Sequence, residues 1–256
     1  MLVDLVHYLT LPAPLAHRRF GYVRDSVWLR SRSRRCRAAW APHLAAARAV
    51  VRDAVAGSPG RGIAVVLGSG LLDDVPLPDL AAAFRRVVLV DAVHPWTARR
   101  QACRFANVTL LTRDLSGALP LLSGRADDLV PALPPVCSDA ETDLVVSANL
   151  LSQLPILPVE RIAGRCPQTA DAFGRRIVAQ HLDALSGLRA RICLVTDVEA
   201  VEEDRAGRVV ARTDLLHGAD PGPPERDWIW DLAPFGEAGR DCRIRHRVVG
   251  FSDWRG

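Results

Sequence analysis

The chain has 256 residues, 49% hydrophobic and 24% charged, with a formal net charge of +4. This suits one sizeable core with a small appendage, and no apolar run reaches the roughly 18 residues of a membrane span. With Asp4 and His7 inside Met1–Thr10 and no basic leader, a cytoplasmic protein with no membrane partner is expected.

Residues 1–57 read as helical, because Val27, Trp28, Cys36, Trp40, Leu44 and Val51 recur at helical spacing before the Gly57-Ser58-Pro59-Gly60 turn. A helical extension over 1–60 is therefore expected to precede a main domain over 61–256. Ile63–Leu67 is a short, β-branched apolar run suited to a strand buried on both faces. Helix and strand then alternate: 80–84 helix, 87–90 strand, 97–105 helix, 108–111 strand. That alternation predicts right-handed βαβ units and a parallel sheet.

The Pro- and Gly-rich interval 120–138 reads as a loop with a helical turn near 126–129. Asp143–Asn149 is the fourth strand, 168–185 a long amphipathic helix ended by Gly187, and Arg191–Asp197 the fifth strand. Trp228-Ile229-Trp230 and Arg243–Phe251, separated by a turn at 234–239, read as an antiparallel hairpin.

Six scattered cysteines show no zinc or redox spacing, so reduced structural thiols and no metal site are expected. Every basic residue is arginine, a pattern of GC-rich coding that makes the charge weak evidence for a nucleic-acid partner.

The chemistry gathers at the strand ends. Gly68-Ser69-Gly70 follows the first strand, between Leu67 and Leu71, and lets the backbone turn tightly beside a ligand. Asp91 ends the second strand 21 residues beyond Gly70, where a carboxylate can accept hydrogen bonds from both ribose hydroxyls. Asp114 follows the third strand. A dinucleotide site would have a third glycine and a helix N-terminus for pyrophosphate; Asp73 and Asp74 stand there instead, and a phosphate-free cofactor suits them better.

This ordered set resembles the class I S-adenosylmethionine-dependent methyltransferases over roughly residues 60–256. The resemblance implies an α/β, Rossmann-like, mainly parallel seven-stranded sheet with helices on both faces and an antiparallel C-terminal strand. It implies that Gly68–Gly70 lies against the amino-acid portion of S-adenosylmethionine, Asp91 at its ribose and Asp114 near its adenine. Leu67, Leu71, Ala92, His94 and Leu115 would complete the cofactor site, and Ser147–Gln153 would lie beside the transferred methyl group. The chain departs from the family in having Val65-Val66 before the turn and Leu71-Leu72 after it. Asn149 is followed by Leu150-Leu151-Ser152 rather than Pro-Pro-aromatic, which argues against acceptors such as exocyclic base nitrogens.

Asn149, Ser152, Gln153 and His181 are the candidate catalytic residues, with Arg176 weaker; a histidine can serve as general base near neutrality. Arg30, Arg34 and Arg37 would share one helix face as an anionic-substrate site, the alternative being a solvated face. Trp28 and Trp40 suit packing against the main domain. A methyltransferase with a small-molecule acceptor is expected, the N-terminal helices acting as a substrate lid. Two alternatives stand open: a nicotinamide-dependent oxidoreductase, and a noncatalytic protein binding RNA or another anion. A homodimer is compatible with the sequence and not specified by it.

Overall fold

The computed structural model describes residues 2–164 and 166–256. Its strands are β1 (Ile63–Leu67), β2 (Arg86–Asp91), β3 (Val108–Thr112), β4 (Thr142–Ala148), β5 (Arg191–Asp204), β6 (Val209–Asp214), β7 (Arg226–Ala233) and β8 (Cys242–Phe251). They form one eight-stranded sheet in the order β3-β2-β1-β4-β5-β8-β7, with β6 paired to β5. β1 to β5 are parallel along this path, and β8 runs antiparallel between β5 and β7. The expected Rossmann-like α/β fold with an antiparallel C-terminal strand is present.

The strand count is one higher than expected. β5 does not stop at Asp197 but continues to Asp204, and that acidic extension pairs with β6. β6 is mostly exposed, so it lacks the apolar pattern that announces a core strand.

Alternation along the central strands splits the core into two layers. Ala64, Val66, Leu89 and Val146 face one side, against α4 (Arg37–Gly57) and α5 (Leu77–Ala83). Ile63, Val65, Val90 and Val145 face the other, against Phe173, Ile177, Val178 and Leu185 of α9 (Pro167–Ser186). Burying each such valine, leucine or phenylalanine contributes about 1.5–3 kcal/mol, and β1, buried at every residue, anchors both layers.

The N-terminal region forms α1 (Leu2–Thr10), α2 (Leu15–Phe20), α3 (Tyr22–Arg35) and α4. Trp40, Ala47, Val50, Val51 and Ala54 of α4 belong to the same core cluster as β1. Because α4 leads through a short turn into β1, it runs back along that strand, bringing Trp40 and His43 to the carboxyl ends of the strands. Trp28, expected to pack, is instead exposed beneath the Arg24 guanidinium.

The remaining helices are α6 (Trp96–Ala102), α7 (Leu119–Leu122) and α8 (Ile156–Ala163), with a 3-10 turn at Pro135–Ser138. The helical turn expected at 126–129 lies instead at α7, where leucines can face the core. Among the described residues no helix is long and apolar enough to cross a membrane.

Candidate functional site

Strand order reverses between β1 and β4, and ligands of open α/β sheets bind outside the carboxyl ends of the strands at such a point. The pairing register brings the candidate residues to one edge. Leu67 pairs with Val90 and with Ser147, and Asp91 pairs with Thr112. Gly68, Asp91, Asp114 and Asn149 therefore emerge together, around a cavity of about 250 Å³.

At the β1 end, Gly68 has φ +75°, and a Cβ there would lie 2.8 Å from Leu150 Cβ. Its N–H donates to Val90 O at 2.9 Å, so only glycine fits both the backbone conformation and the approach of the β4 loop. Across the reversal Asn149 also takes a left-handed conformation, φ +48°, which costs of order 1 kcal/mol or more and tends to mark functional sites. Asn149 is buried and lines the cavity, and its Oδ1 has no partner among the described residues.

Asp91 accepts from Gly70 N–H at 2.7 Å through Oδ2 and from Val93 N–H at 3.2 Å through Oδ1. Burial pushes its carboxyl up, opposed by His94 and by these N–H groups. Asp114 Oδ1 accepts from the Tyr22 hydroxyl at 2.6 Å and from Ser116, while Oδ2 accepts, among the described residues, only Leu119 N–H at 3.2 Å. Burial, and then the charge of Asp114, raises the Tyr22 phenol well above its ordinary range, keeping it a donor. Asp73 and Asp74 line the cavity too; burial pushes Asp74 up to about 7, with Asp73 and Asp91 adding repulsion.

The N-terminal helices are tied to all three strand-end loops. His17 Nδ1 donates to Ala92 O at 2.7 Å beyond β2, Tyr22 donates to Asp114 beyond β3, and Ser33 Oγ donates to Asp73 Oδ2 at 2.7 Å beyond β1. Tyr22, Asp25, Ser26 and Leu29 of α3 line the cavity, as do Trp40, His43 and Leu44 of α4. Opposite them stands Trp230 of β7, with the His43 ring stacked on it at 4.0 Å and 7° and Trp40 edge-on at 4.9 Å. Burial lowers the His43 imidazole to about 4.

Of the expected site residues, Gly68, Gly70, Leu71, Asp91, Ala92, Asp114, Leu115, Asn149 and Gln153 line this cavity. Leu67 and Ser69 are fully buried behind the turn. Four expectations are corrected by burial and pairing. His94 is buried beneath the strand ends, its Nε2 donating to Leu111 O at 3.1 Å, and does not line the cavity. Ser152 turns away to donate to Asp197, which also accepts from His246 Nδ1 at 2.5 Å. His181 faces the core from α9, its Nε2 3.1 Å from Ser147 Oγ, and burial holds it near 4, so it is not positioned as a base. Arg30, Arg34 and Arg37 do not share a helix face toward the cavity: the helix breaks at Cys36, Arg30 pairs with Asp4 at 3.8 Å, and Arg34 and Arg37 point to solvent. Arg176 is exposed and pairs with Asp128. Among the described residues no cluster suited to a metal ion occurs.

No protein-family model matches the chain, and no curated protein matches it. Among solved structures it is similar to 1,6-didemethyltoxoflavin-N1-methyltransferase of Burkholderia thailandensis, crystallised with 1,6-didemethyltoxoflavin and S-adenosylhomocysteine. The identity is 18%, with 80% of each chain covered and a TM-score of 0.36. N-methyltransferase NodS of Bradyrhizobium japonicum WM9, in complex with S-adenosylhomocysteine, is 15% identical over 78% of this chain and 84% of that one, with a TM-score of 0.39. A SAM-dependent methyltransferase of Leishmania major is 13% identical over 96% and 81%, with a TM-score of 0.36. All three are S-adenosylmethionine-dependent methyltransferases or bind its product; at these TM-scores the likeness assigns no residue role here. The chain's own topology and cavity define a Rossmann-like α/β domain with a ligand crevice at the carboxyl ends of its central strands.

Proposed function

We propose that the chain is an S-adenosylmethionine-dependent methyltransferase acting on a small-molecule acceptor. The observation that carries this reading is the charge of the cavity. Asp25, Asp73, Asp74, Asp91 and Asp114 line it and, among the described residues, no arginine does; even with Asp74 part-protonated near neutrality the carboxyl groups leave the cavity negative. A cleft of one sign with low-dielectric walls concentrates ligands of the opposite sign, which favours a sulfonium and an ammonium and disfavours a pyrophosphate. The turn adds to this: α5 begins only at Leu77, behind Pro76, so no helix N-terminus stands at Gly68–Gly70 to receive phosphates. Both points count against the nicotinamide-dependent alternative.

The residues present fit the cofactor. Asp91 would take the ribose hydroxyls, Gly68 and Gly70 would let the backbone approach the amino-acid portion, and Ala92 and Leu115 would flank the nucleoside. Asp114 keeps acceptor capacity on Oδ2 toward an adenine amine, since Oδ1 is taken by Tyr22 and Ser116. When bound, the cofactor supplies an electrophilic methyl group for in-line displacement. The chain's part is then alignment and exclusion of water. Asn149 and Gln153, whose amide donates to Asn149 O at 2.6 Å, orient the acceptor and do not titrate. Residues of α3 and α4 roof one side of the cavity and narrow it, which suits a small acceptor better than a polymer.

Titration of the wild type and of Asp91→Asn with S-adenosylhomocysteine tests this reading. The wild type should bind saturably and the variant about tenfold or more weakly, the loss of roughly one charge-assisted hydrogen bond. Equal affinities would remove Asp91 from the cofactor site.

A further inference from the structure

The aromatic wall of the cavity has a feature that the cofactor does not use. Trp228 Nε1 lies 3.1 Å from His43 Nδ1. An indole N–H can only donate, so Nδ1 must accept, and the neutral imidazole carries its proton on Nε2. Protonating Nδ1 would set two N–H groups face to face, so the ring is held neutral in one tautomer. His43 is stacked on Trp230, and both rings line the cavity. The Trp230 Nε1–H is also buried and has no partner among the described residues. Trp40, His43 and Trp230 are themselves nearly buried, so this wall offers the cavity aromatic ring edges and the Nε2–H of His43, with no lone pair free to take a proton.

Resting on the methyltransferase reading, we propose that the wall formed by Trp40, His43 and Trp230 is the acceptor's seat, and that it selects a flat, uncharged ring bearing a hydrogen-bond-accepting atom, met by the Nε2–H of His43. His43 is a specificity-determining donor and not a general base. Anionic acceptors are disfavoured by the aspartates around the same cavity. The ring packs against the edges of the wall with its acceptor atom at the imidazole N–H; a ring lacking that atom leaves a buried donor unpaired.

Three probes of one shape test the proposal on protein saturated with S-adenosylhomocysteine at neutral pH: quinoline, naphthalene and 2-naphthoate. Quinoline should bind about tenfold more tightly than naphthalene, the value of one hydrogen bond in a desolvated site, and more tightly than 2-naphthoate. His43→Phe keeps an aromatic ring on Trp230 and should bring quinoline to within about twofold of naphthalene, leaving S-adenosylhomocysteine affinity unchanged. Nitrogen-15 histidine spectra give a second readout. His43 should show the neutral Nε2–H form from mildly acidic to mildly alkaline pH, and Trp228→Phe should release that tautomer. Equal binding of quinoline and naphthalene, preference for 2-naphthoate, no saturable binding of any probe, or a proton on Nδ1 would overturn the proposal. Repeating the titrations without S-adenosylhomocysteine separates the two readings: ring selection that persists in a protein unable to bind the cofactor product would overturn the methyltransferase and leave the seat standing.

Discussion

Tyr22 and Asp114 stand 92 residues apart in sequence and are joined by a 2.6 Å hydrogen bond from the phenol to the carboxylate. The bond ties the start of α3 to the loop beyond β3, joining the roof of the cavity to one of its walls. The matching bonds from His17 to Ala92 and from Ser33 to Asp73 make the attachment threefold.

Tyr22→Phe removes the donor and leaves a carboxylate oxygen with one partner fewer. Hydrogen bonds to charged groups contribute about 1.5–3 kcal/mol, so urea unfolding should show a loss of about 1–2 kcal/mol. Hydrogen exchange should rise in α2 and α3 while β1 and β4 stay protected. Unchanged exchange in the roof would show that the bond does not hold it.

Gly68→Ala and Gly70→Ala separate strain from approach. At Gly68 a methyl group meets Leu150 Cβ at 2.8 Å as well as φ +75°, whereas at Gly70, φ +46°, only Gly68 O comes within range, at 3.8 Å. The first substitution should cost about 2–4 kcal/mol in denaturant unfolding. The second should cost about 1 kcal/mol and weaken S-adenosylhomocysteine binding, because its methyl group projects into space the ligand needs. Equal stability losses would contradict this division.

Asp74 makes stability depend on pH with a definite sign. Its folded value of about 7 lies above the ordinary 3.8, so between these limits the folded chain holds a proton that the unfolded chain has released. Stability contributed by this group is therefore full below about pH 4 and is lost as pH rises through about 7. Asp74→Asn should stabilise the chain in mildly alkaline solution, and the gain should shrink on acidification. A gain independent of pH would place the carboxyl in water.

His181 acts in the opposite direction. Burial lowers it from 6.5 to about 4, so the unfolded chain gains a proton that the folded chain refuses, and stability falls as pH drops across that window. His181→Gln should reduce the acid sensitivity of unfolding and leave S-adenosylhomocysteine affinity within about twofold. A large loss of affinity would return His181 to the site.

The sequence made the sheet legible because β1, β2 and β4 are buried on both faces and their valines and leucines form unbroken runs. It made the cavity's edge legible because a glycine turn and two aspartates end three successive strands. β6 escaped because Val209 and Val210 are exposed and its partner, the second half of β5, reads as an acidic stretch. His17, Tyr22 and Ser33 escaped for a different reason: their partners lie 75, 92 and 40 residues away, and no local period reports such contacts. The arginine-rich segment misled in turn, because helical spacing continued through Cys36 on paper while the chain starts a new helix there.

The central claim is that the acidic crevice beyond β1, β2 and β3 holds a phosphate-free nucleoside cofactor with an ammonium-bearing amino-acid portion. Calorimetric titration of the wild type with S-adenosylhomocysteine and, separately, with NADH tests it most directly. Saturable heat with S-adenosylhomocysteine and none with NADH is the predicted result; binding of NADH alone would contradict the account.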